Sequence, residues 1–375
     1  MEPAAPEPPP PPRRRWALVA GIAVAAAAVT AAAALFGPER ERPPDDPRPQ
    51  AIPWSSTSNL VTFADDRNGW ALTPRCEGAD CHPKFWRTTD GGQTWQEGPV
   101  PDEQLGRGTG VQLIPAGPET VVVEAGRQRW LSTDGGRSWH RGLAVDVLAE
   151  PAEPPVGVPL RITAGTRVSG QTAAATPRTM GWYAPRTGQP TAFAKQLDWQ
   201  PISWSPARDG SVWVVGGNAQ LRVWEDGGWR TLRPAMPPPP RTFIQVAAVD
   251  RRTAYLLVFG VDDDSLLRPT AISLTTDGGT SWRLVSLRGS TLRGSRDAAA
   301  IGNRLVIVDS NGGVRVFDAA ATRGREPVAP YAVEEAPALW KLEAAGNRLI
   351  GTGMQDGRFY YSLDGETWTP IQLPS

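Results

Sequence analysis

Thr88-Thr89-Asp90-Gly91-Gly92-Gln93-Thr94-Trp95 decides the fold, because the same pattern recurs along the chain. The pattern reads Ser or Thr, any residue, Asp-Gly-Gly, any residue, Ser or Thr, and Trp. It returns at 132–139, at 275–282 and, with Glu366 in place of the second glycine, at 362–368. The Asp carboxylate can accept hydrogen bonds from later backbone N–H groups, and glycine adopts positive φ without a Cβ clash, so each copy predicts a tight turn. The residues predicted to build these turns are Asp90, Gly91, Gly92, Trp95, Asp134, Gly135, Gly136, Trp139, Asp277, Gly278, Gly279, Trp282, Asp364, Gly365 and Trp368.

Each turn is flanked by residues that favour β-strands. Phe85-Trp86-Arg87 and Ile272-Ser273-Leu274 precede two of the turns, with large side chains at both alternating positions, as in a strand covered on both faces. The Trp that ends each pattern starts the next strand, and its indole can fold back over the turn. We therefore expect each turn to be a local staple that fixes one hairpin per repeat, with no catalytic role for its Asp.

The repeat length is about 45 residues, which is the size of a four-stranded propeller blade. The Asp residues of the pattern lie at 90, 134, 277 and 364, and a shortened copy, Trp224-Glu225-Asp226-Gly227-Gly228-Trp229, adds position 226. Two of the gaps are close to double the repeat. This spacing predicts one degenerate copy near 182–188 and another near 317–324.

A second signal runs in parallel, a short apolar strand ahead of each turn. These strands are predicted at 69–72, 120–123, 212–215, 255–258, 305–308 and 349–350. Together the two signals predict an all-β domain, a seven-bladed β-propeller over residues 54–375. Because the third unit, about 145–197, is rich in proline, six or eight blades remain open. The ring can close through Thr367–Leu373 as the last blade's own fourth strand, or through residues 54–60 joining the last sheet.

The repeated turn resembles the Asp-box or BNR repeat of bacterial sialidases, sortilin-type receptors and the photosystem II assembly factor family. The match to the assembly-factor branch is carried by the first unit, where 63–71, with its Gly69-Trp70-Ala71 stretch, leads into 89–95. The resemblance implies a β-propeller in which the boxes lie at the blade periphery, away from the ligand face.

The N-terminal region divides into a tail, an apolar span and a spacer. Residues 1–15 are Pro-rich and end in three arginines, 16–36 contain one polar side chain, Thr30, and 37–53 are a Pro-rich linker. A 16–36 helix is long enough for a bilayer core of about 30 Å, and arginines before it favour a cytoplasmic N-terminus. We expect a single transmembrane helix that acts as a signal-anchor, with an extracytoplasmic propeller at the cell membrane. The alternative is a cleaved signal peptide and a secreted domain.

The overall charge argues against nucleic acid as a partner. The chain has 39 Lys and Arg residues and 39 Asp and Glu residues, for a formal net charge of zero. A nucleic-acid-binding protein carries a basic excess or a basic stripe, and neither is visible here.

Cys76 and Cys81 are the only cysteines. In an exported domain, such a pair predicts a disulfide that closes a small loop between two strands of the first blade. His82 raises the possibility of a metal site, but two cysteines and one histidine lack a fourth ligand. His140 follows a box Trp and is predicted to be a surface residue. We predict no cofactor and no metal.

Two functions compete. The resemblance to sialidases implies an exo-glycosidase with a Tyr nucleophile, a Glu partner, an Asp and an arginine triad. The candidate nucleophiles are Tyr183, Tyr255, Tyr331, Tyr360 and Tyr361. No nucleophile and base are placed together by the sequence, and the repeats suit a scaffold. We therefore expect a non-catalytic binding or assembly module whose partner, a protein or an envelope glycan, lies at the open face or in the central channel.

Overall fold

The computed structural model describes residues 60–77, 80–103, 105, 110–165, 167–168, 179–234, 243–261, 267–287, 292, 294–320 and 330–374. They form seven sheets, each a blade of a β-propeller, so the predicted all-β fold and the blade count are confirmed. The tail, the apolar span 16–36 and the linker lie outside the described residues. Among the helices of the described part, none is long and apolar enough to cross a membrane.

Six blades are antiparallel meanders in which consecutive strands pair in chain order. Blades 1 and 2 comprise β1 (Leu60–Phe63), β2 (Gly69–Glu77), β3 (Asp80–Thr88), β4 (Gln96–Gly98), β5 (Val111–Gly117), β6 (Thr120–Ala125), β7 (Gln128–Ser132) and β8 (His140–Arg141). Blade 3 comprises β9 (Val147–Ala152), β10 (Ile162–Gly165), β11 (Arg167–Val168), β12 (Thr179–Tyr183) and β13 (Pro190–Phe193).

The second half of the ring continues the pattern. Blades 4 and 5 comprise β14 (Pro201–Pro206), β15 (Val212–Gly216), a 3-10 turn (Gly217–Ala219), β16 (Leu221–Glu225), β17 (Gly228–Leu232), β18 (Phe243–Ala248), β19 (Ala254–Val261), β20 (Leu267–Thr275) and β21 (Arg283–Ser286). Blades 6 and 7 comprise β22 (Asp297–Ile301), β23 (Arg304–Val308), β24 (Val314–Asp318), β25 (Tyr331–Ala332), β26 (Leu339–Ala345), β27 (Arg348–Gly353), β28 (Phe359–Ser362) and β29 (Thr369–Ile371).

The first strands of neighbouring meander blades lie against one another around the central axis. β14 lies against β18, β18 against β22, and β22 against β26. On β14, the hydroxyls of Ser203 and Ser205 accept the backbone N–H groups of Val246 and Ala248 at 3.1 and 2.9 Å. These hydroxyls join the inner edges of neighbouring blades, which do not share a backbone ladder.

The second strands form the core. β6, β15 and β23 are almost fully buried, and so are the other apolar strands predicted at 69–72, 255–258 and 349–350. A second strand is covered on both faces, because the blades before and after it pack against it. Continuous apolar runs such as Val121-Val122-Val123 are the sequence signature of that environment.

Blade 3 departs from the meander. Its strand order is β10-β12-β13-β9-β11, and β9 pairs in parallel with both β13 and β11. The register of β9 against β13 shifts between Thr191 and Phe193. Pro151 lies within β9 and cannot donate to a ladder, which favours an irregular pairing. The turn near 182–188, predicted as a degenerate box, instead joins β12 to β13 within this rearranged sheet.

The shortened copy in blade 4 forms a different turn from the full pattern. Glu225 pairs with Gly228, so two residues connect β16 and β17. Asp226 and Gly227 have φ of 46° and 75°. Positive φ at both central residues is the requirement of a two-residue hairpin turn that matches strand twist. The interpretation of 224–229 as a contracted box is therefore wrong in its geometry. The copy predicted near 317–324 lies partly outside the described residues.

The ring closes between two blades that each consist of their own strands. β26 to β29 form the last sheet in chain order, and β1 to β4 form the first. In the described part of the chain, no strand is therefore exchanged between the two blades. Instead, side chains from both blades share one apolar cluster that includes Val61, Phe63, Ile350 and Ile371.

Candidate functional site

In blade 1, the Asp-Gly turn is organised by the carboxylate of Asp90. It accepts the backbone N–H groups of Gln93 and Thr94 at 3.0 and 2.9 Å, and the hydroxyls of Thr88 and Thr94 at 2.8 and 2.5 Å. The Thr88 hydroxyl in turn accepts the N–H of Gly92 at 2.8 Å. The hydrogen bonds from Thr94 and Thr88 hold the pKa of Asp90 well below its ordinary value. This carboxylate is thus an ionised acceptor and cannot act as a general acid near neutral pH.

The same bonds recur in blades 2 and 5. Asp134 accepts the N–H groups of Arg137 and Ser138 at 2.9 and 3.0 Å. The hydroxyl and N–H of Ser281 bond to Asp277 at 2.6 and 2.9 Å and lower the pKa of Asp277 to about 2. In all three turns both glycines have positive φ. Each residue type in the pattern is therefore required by a specific contact.

The turn of blade 7 is one residue shorter than the others. Gly365 donates its N–H to the hydroxyl of Ser362, three residues earlier, at 2.8 Å, whereas Gly136 donates to Ser132, four residues earlier, at 2.7 Å. Gly365 therefore occupies the place of the second glycine. The interpretation of Glu366 as a replacement for that glycine is wrong, because the chain lacks one residue at this point.

The turns also make contacts beyond their own hairpins. The first glycine N–H donates to a carbonyl in the turn between the first and second strands of its own blade: Gly91 to Arg67 at 2.8 Å, Gly135 to Glu119 at 2.7 Å and Gly278 to Arg252 at 2.9 Å. Each Asp-Gly turn is therefore bonded to the turn between the first and second strands of its blade. The expectation that it fixes only its own hairpin is too narrow.

An arginine of the preceding blade lies against each of these turns. Arg348 of blade 7 donates to the Gly91 carbonyl at 3.1 Å, and Arg304 of blade 6 donates to the Asp364 carbonyl at 2.9 Å. The guanidinium groups of Arg87 and Arg230 occupy the corresponding positions beside Gly135 and Gly278. Arg304 and Arg348 each begin the second strand of their blade within a repeated Gly-Asn-Arg-Leu stretch. Arg87 lies on a third strand and Arg230 on a fourth, so these two share no sequence signal.

The box tryptophans follow three patterns. Trp282 and Trp368 donate their indole N–H back into their own turns, to the carbonyls of Gly279 and Gly365 at 3.1 and 3.2 Å. Trp139 instead donates to the Pro99 carbonyl, which lies at the end of blade 1, at 2.8 Å. The indole N–H of Trp95 is buried without a hydrogen-bond partner in the described part of the chain, although its ring lies 3.5 Å from the place that a Cβ on Gly92 would occupy. The predicted fold-back is therefore made by an indole hydrogen bond in two of the four turns, and the bond of Trp139 joins neighbouring blades.

The cysteines lie on strands and not in a loop. Cys76 on β2 and Cys81 on β3 are directly opposite in the register. The described part of the chain contains no free cysteine. His82 and His140 are both exposed. Within the described residues, no group of three or more His, Cys, Asp or Glu side chains is arranged to hold a metal ion.

A buried polar network joins blades 2 and 3. The Arg129 Nε donates to Glu124 Oε1 at 2.6 Å, and the Tyr183 hydroxyl donates to the same oxygen at 2.7 Å. The remaining Arg129 nitrogens donate to the carbonyls of 143, 144, 145 and 147 at 2.9–3.3 Å. Burial, followed by the nearby Glu124 charge, raises the pKa of Tyr183. This tyrosine is 2% exposed, so it is a structural residue and not a nucleophile.

The other four tyrosines are dispersed. Burial raises the pKa of Tyr255, which is fully enclosed in the core between blades 5 and 6. Tyr360 donates its hydroxyl to Asp356 at 2.7 Å, a bond that raises the pKa of Tyr360. Tyr361 lies beside Arg348, with the guanidinium 5.9 Å from the ring centroid. None of these three is placed as an accessible, activated nucleophile.

Tyr331 has the surroundings nearest to those of a sialidase nucleophile. It is 41% exposed, its hydroxyl donates to Glu366, and Arg304 is 3.2 Å from that carboxylate. Burial and the Glu366 hydrogen bond raise the pKa of Tyr331 to about 12. A raised pKa disfavours the phenolate, because the neutral hydroxyl is stabilised. The cluster lies at the seam between blades 6 and 7, on the outermost strand of blade 6.

One end of the central channel is crossed by polar side chains. Arg161, just before β10, donates to the Phe63 carbonyl at 2.8 Å and is 3.0 Å from Glu343 of blade 7. Blades 1 and 2 separate blade 3 from blade 7 in the ring, so these contacts are made across the axis. Arg208 of blade 4 also reaches blade 7, with 3.5 Å to the amide oxygen of Asn347. The end at which β1 and β26 finish is therefore obstructed.

The opposite end of β26 carries an exposed tryptophan. Trp340 is 50% exposed, and the guanidinium carbon of Arg296 lies 4.5 Å from its ring centroid. At about 3.3 Å per residue, Trp340 is some 15 Å along the strand from the end crossed by Arg161. The sequence did not single out this residue. No sequence signal marks it, because the exposure of both Trp340 and Lys341 accompanies an irregular register between β26 and β27.

A hollow of about 370 Å³ lies on the outer hairpin of blade 7, between 356–359 and 370–373. It is formed by Phe359 and Ile371 together with the Asp356 and Arg358 side chains. Asp356 is already bonded to Tyr360. The hollow therefore presents no pair of groups suited to acid–base chemistry.

Comparison with known proteins finds similarity at the level of structure. No family profile and no curated protein sequence matches the chain. A structure described as YCF48 bound to D1 peptide has a TM-score of 0.48 at 15% identity and covers 83% of this chain and 94% of that chain. YCF48 from Cyanidioschyzon merolae has a TM-score of 0.47 at 14% identity, with 80% and 92% covered. The GH74 xyloglucanase from Xanthomonas campestris has a TM-score of 0.41 at 15% identity, covering 82% of this chain and 59% of that one. These similarities carry no inference about function.

Proposed function

We propose that this protein is a non-catalytic binding or assembly module whose partner docks on the propeller face that carries Trp340. The observation behind this proposal is the half-exposed Trp340 ring beside Arg296, at the end of β26 opposite the obstructed one. Exposed tryptophan and arginine are the residue types that dominate binding energy at protein surfaces. The channel itself offers no open passage, since Arg161 and Arg208 cross it.

The competing function is a sialidase-like exo-glycosidase, and Tyr331 with Glu366 and Arg304 is the arrangement that favours it. Two features favour binding over hydrolysis. The pKa of Tyr331 is raised to about 12, and the cluster lies at an outer seam away from the Trp340 face. Turnover of a fluorogenic sialoside that disappears in Tyr331→Phe would establish the glycosidase and refute the binding module.

We also propose that the four Asp-Gly turns are Asp-boxes with a scaffolding role. Their carboxylates are saturated by hydrogen bonds within the turn, and Asp277 has a pKa of about 2. A substitution in one of them is expected to lower stability without altering partner affinity at the Trp340 face.

For residues 1–59 we propose the topology that the sequence predicts. The N-terminus lies in the cytoplasm, 16–36 cross the membrane as an uncleaved anchor, and the propeller is extracytoplasmic. In that compartment Cys76 and Cys81 would be joined as a disulfide, since nothing there keeps thiols reduced. Their opposed positions on β2 and β3 support this pairing.

An impermeant thiol reagent applied to intact cells tests the topology and the disulfide together. We expect no labelling before reduction and labelling of both cysteines after an impermeant reductant. Labelling without reduction would refute the disulfide. Labelling that requires both reduction and membrane disruption would show that the propeller lies on the cytoplasmic side of the membrane.

The binding function is tested by capture from an envelope extract with the full-length protein in detergent. We expect a partner that is retained by the wild type and by Leu363→Ala, a control on an exposed residue of the blade 7 turn, but lost with Trp340→Ala. Retention of the partner by all three proteins would show that the binding surface does not include Trp340.

A further inference from the structure

We propose that the surface formed by Arg296, Trp340, Lys341 and Met354 binds an acidic peptide segment that inserts one large apolar side chain beside Trp340. We call these four residues the Trp340 surface. The inference rests on the proposed binding function and deepens it, because it assigns the chemical class of the partner.

The first step is the arrangement of the residues. Trp340 and Lys341 are adjacent exposed residues near the start of β26. Arg296, just before β22 of the neighbouring blade, donates its Nε to the Ser310 carbonyl at 2.8 Å. This bond fixes the guanidinium over the Trp340 ring at 4.5 Å. The tryptophan is therefore held from one side and half exposed on the other.

Met354 extends the surface on the other side of the same blade. Its backbone N–H donates to the Ala338 carbonyl at 2.8 Å, and its side chain is 38% exposed. The sulfur lies 3.0 Å from the place that a Cβ on Gly312 would occupy, so glycine there allows the thioether to lie flat on the turn. Gly312 also has φ of 87°, which disfavours any other residue.

The second step is charge. Among the ion pairs of the described residues, none includes Arg296 or Lys341. Of the Arg296 donors, only the Nε has an acceptor in the described chain. Burial raises the pKa of Asp297 and the nearby Lys341 charge opposes that rise, so Lys341 has a carboxylate neighbour. The Arg296 guanidinium has no ion pair in the described residues and attracts negative charge beside the exposed aromatic ring.

Asp297 follows Arg296 at the start of β22, and Asp309 lies in the turn between β23 and β24. Asp297 accepts the N–H groups of Leu342 and Ala298, both at 2.9 Å, and Asp309 accepts those of Asn311 and Gly313, both at 2.9 Å. These carboxylates are committed to the backbone of the β22–β26 junction and of the β23–β24 turn. Asp309 is also paired with Arg315 at 3.3 Å. The Arg296 guanidinium is therefore the cation that the Trp340 surface presents without an ion pair in the described residues.

The third step selects a peptide over a glycan. Trp, Met and Arg are enriched at the centres of protein–protein interfaces, where methionine adapts its shape to the partner. A glycan site needs carboxylates and amides free to accept sugar hydroxyls, and both local carboxylates are occupied. The partner that fits is a segment with Asp or Glu residues for Arg296 and one Leu, Phe or Trp for the Trp340 ring.

The test is selection from a random twelve-residue peptide library displayed on phage, with the full-length protein in detergent as the target. We expect enriched sequences that combine Asp or Glu with one large apolar residue. A synthetic peptide of the enriched sequence should bind wild type with an affinity that falls as salt rises. Enrichment of basic or uncharged peptides would overturn the proposal.

Matched variants then locate the site. We expect Trp340→Ala to weaken the selected peptide by at least about 10-fold, and Arg296→Gln by about 3–10-fold. Leu363→Ala and Arg137→Gln, at residues 66% and 71% exposed on the Asp-Gly turns, should leave binding unchanged. Circular dichroism and thermal unfolding confirm that each variant is folded.

Other outcomes separate this inference from the proposed function. Selected peptides that bind Trp340→Ala as well as wild type would refute the Trp340 surface while leaving the binding function standing. Retention of an anionic oligogalacturonate probe that requires Trp340, with no peptide enriched, would assign the surface to a glycan and overturn the peptide. Sialoside turnover would instead refute the proposed function itself.

Discussion

Adjacent blades are joined by different polar contacts at the seam between blades 7 and 1 and at the seam between blades 2 and 3. At the first, Arg348 donates to the Gly91 carbonyl of an Asp-Gly turn and to the Asp65 carbonyl. Asn347 donates its backbone and side-chain N–H groups to Asp66 at 2.7 and 2.9 Å. At the second, the Glu124 carboxylate binds the Arg129 guanidinium and the neutral Tyr183 hydroxyl in a buried network. The seam between blades 7 and 1 uses the Asp-Gly turn, which is found in four blades. The seam between blades 2 and 3 uses three residues that belong to no repeat.

The difference follows from blade 3. Its parallel pairing of β9 with β13 removes the usual turn between third and fourth strands, so no Asp-Gly turn is available there. The chain between β8 and β9 is held by Arg129, which donates to four of its carbonyls. At this seam the buried Arg129 guanidinium therefore takes the place of an Asp-Gly turn. A buried ion is costly to desolvate, so this seam should be the more sensitive to one substitution.

The largest effect is expected for Glu124→Ala. It leaves the Arg129 guanidinium buried without its carboxylate, which should lower the free energy of unfolding by about 3–5 kcal/mol. Urea unfolding monitored by tryptophan fluorescence measures this change. Glu97→Ala is the matched control, because Glu97 pairs with Lys84 at the surface, where an ion pair contributes about 0–1 kcal/mol. Equal losses in the two variants would contradict the comparison.

Arg348→Ala tests the closing seam. It removes hydrogen bonds to the carbonyls of Gly91 and Asp65, at 3.1 and 3.4 Å, and a cation–π contact 4.4 Å from the Phe63 ring. We expect a loss of about 2–3 kcal/mol, less than for Glu124→Ala, because no buried charge is left behind. Thermal unfolding should remain cooperative. Arg358→Ala, at a side chain 71% exposed, should change stability by less than about 0.5 kcal/mol.

Asp90→Ala measures how much the hydrogen bonds inside one Asp-Gly turn contribute to stability, apart from the contacts of the seam. It leaves two backbone N–H groups without their acceptor, which should cost about 1–3 kcal/mol without abolishing the fold. The matched control is Asp198→Ala, since Asp198 is 74% exposed and pairs only with Arg222. An Asp90→Ala protein that does not fold would show that the turn is needed for ring closure.

Acid should weaken the turns gradually, and this is the smallest effect. The pKa of Asp277 is lowered to about 2 in the folded protein, against about 3.9 for an unfolded Asp. The contribution of this turn is therefore complete above about pH 4 and is lost as the pH falls towards 2. Asp277→Asn should flatten that part of the pH–stability curve. An unchanged slope between about pH 4 and 2 would show that Asp277 does not contribute.

Repetition explains which parts of this structure could be predicted. The Asp-Gly turns and the apolar second strands recur, so their positions, the blade count and the seven-fold architecture follow from the sequence. The parallel strand β9 could not be predicted, because Pro151 indicates irregularity without naming the partner strand. The two-residue turn at Asp226 was misassigned, because a Trp-flanked Asp-Gly-Gly also fits a hairpin when the hydroxyl residue before it is missing.

Long-range side chains explain what sequence reasoning missed at the sites. Arg304 and Arg348 share a repeated Gly-Asn-Arg-Leu stretch, so their equivalence is visible in the sequence. Arg87 and Arg230 serve equivalent turns from a third and a fourth strand, so their equivalence is visible only once the blades are packed. Glu124 and Tyr183 are 59 positions apart and belong to no repeat. Trp340 is one of 16 tryptophans, and its exposure depends on the irregular register between Leu339 and Lys341.

The direction of the inner strands shows at which end of the propeller axis the described chain enters the ring. Phe63 and Ala344, near the ends of β1 and β26, meet the same guanidinium, so both strands begin at the opposite end of the axis. Leu60, where the described chain enters the ring, thus lies on the same side as Trp340. If residues 16–36 anchor the protein, the tether leaves from the Trp340 side, and a stretch such as 37–59 reaches at most about 80 Å. The Trp340 side would then look back towards the lipid, and the segments best placed to reach it would be short ones exposed just above the bilayer.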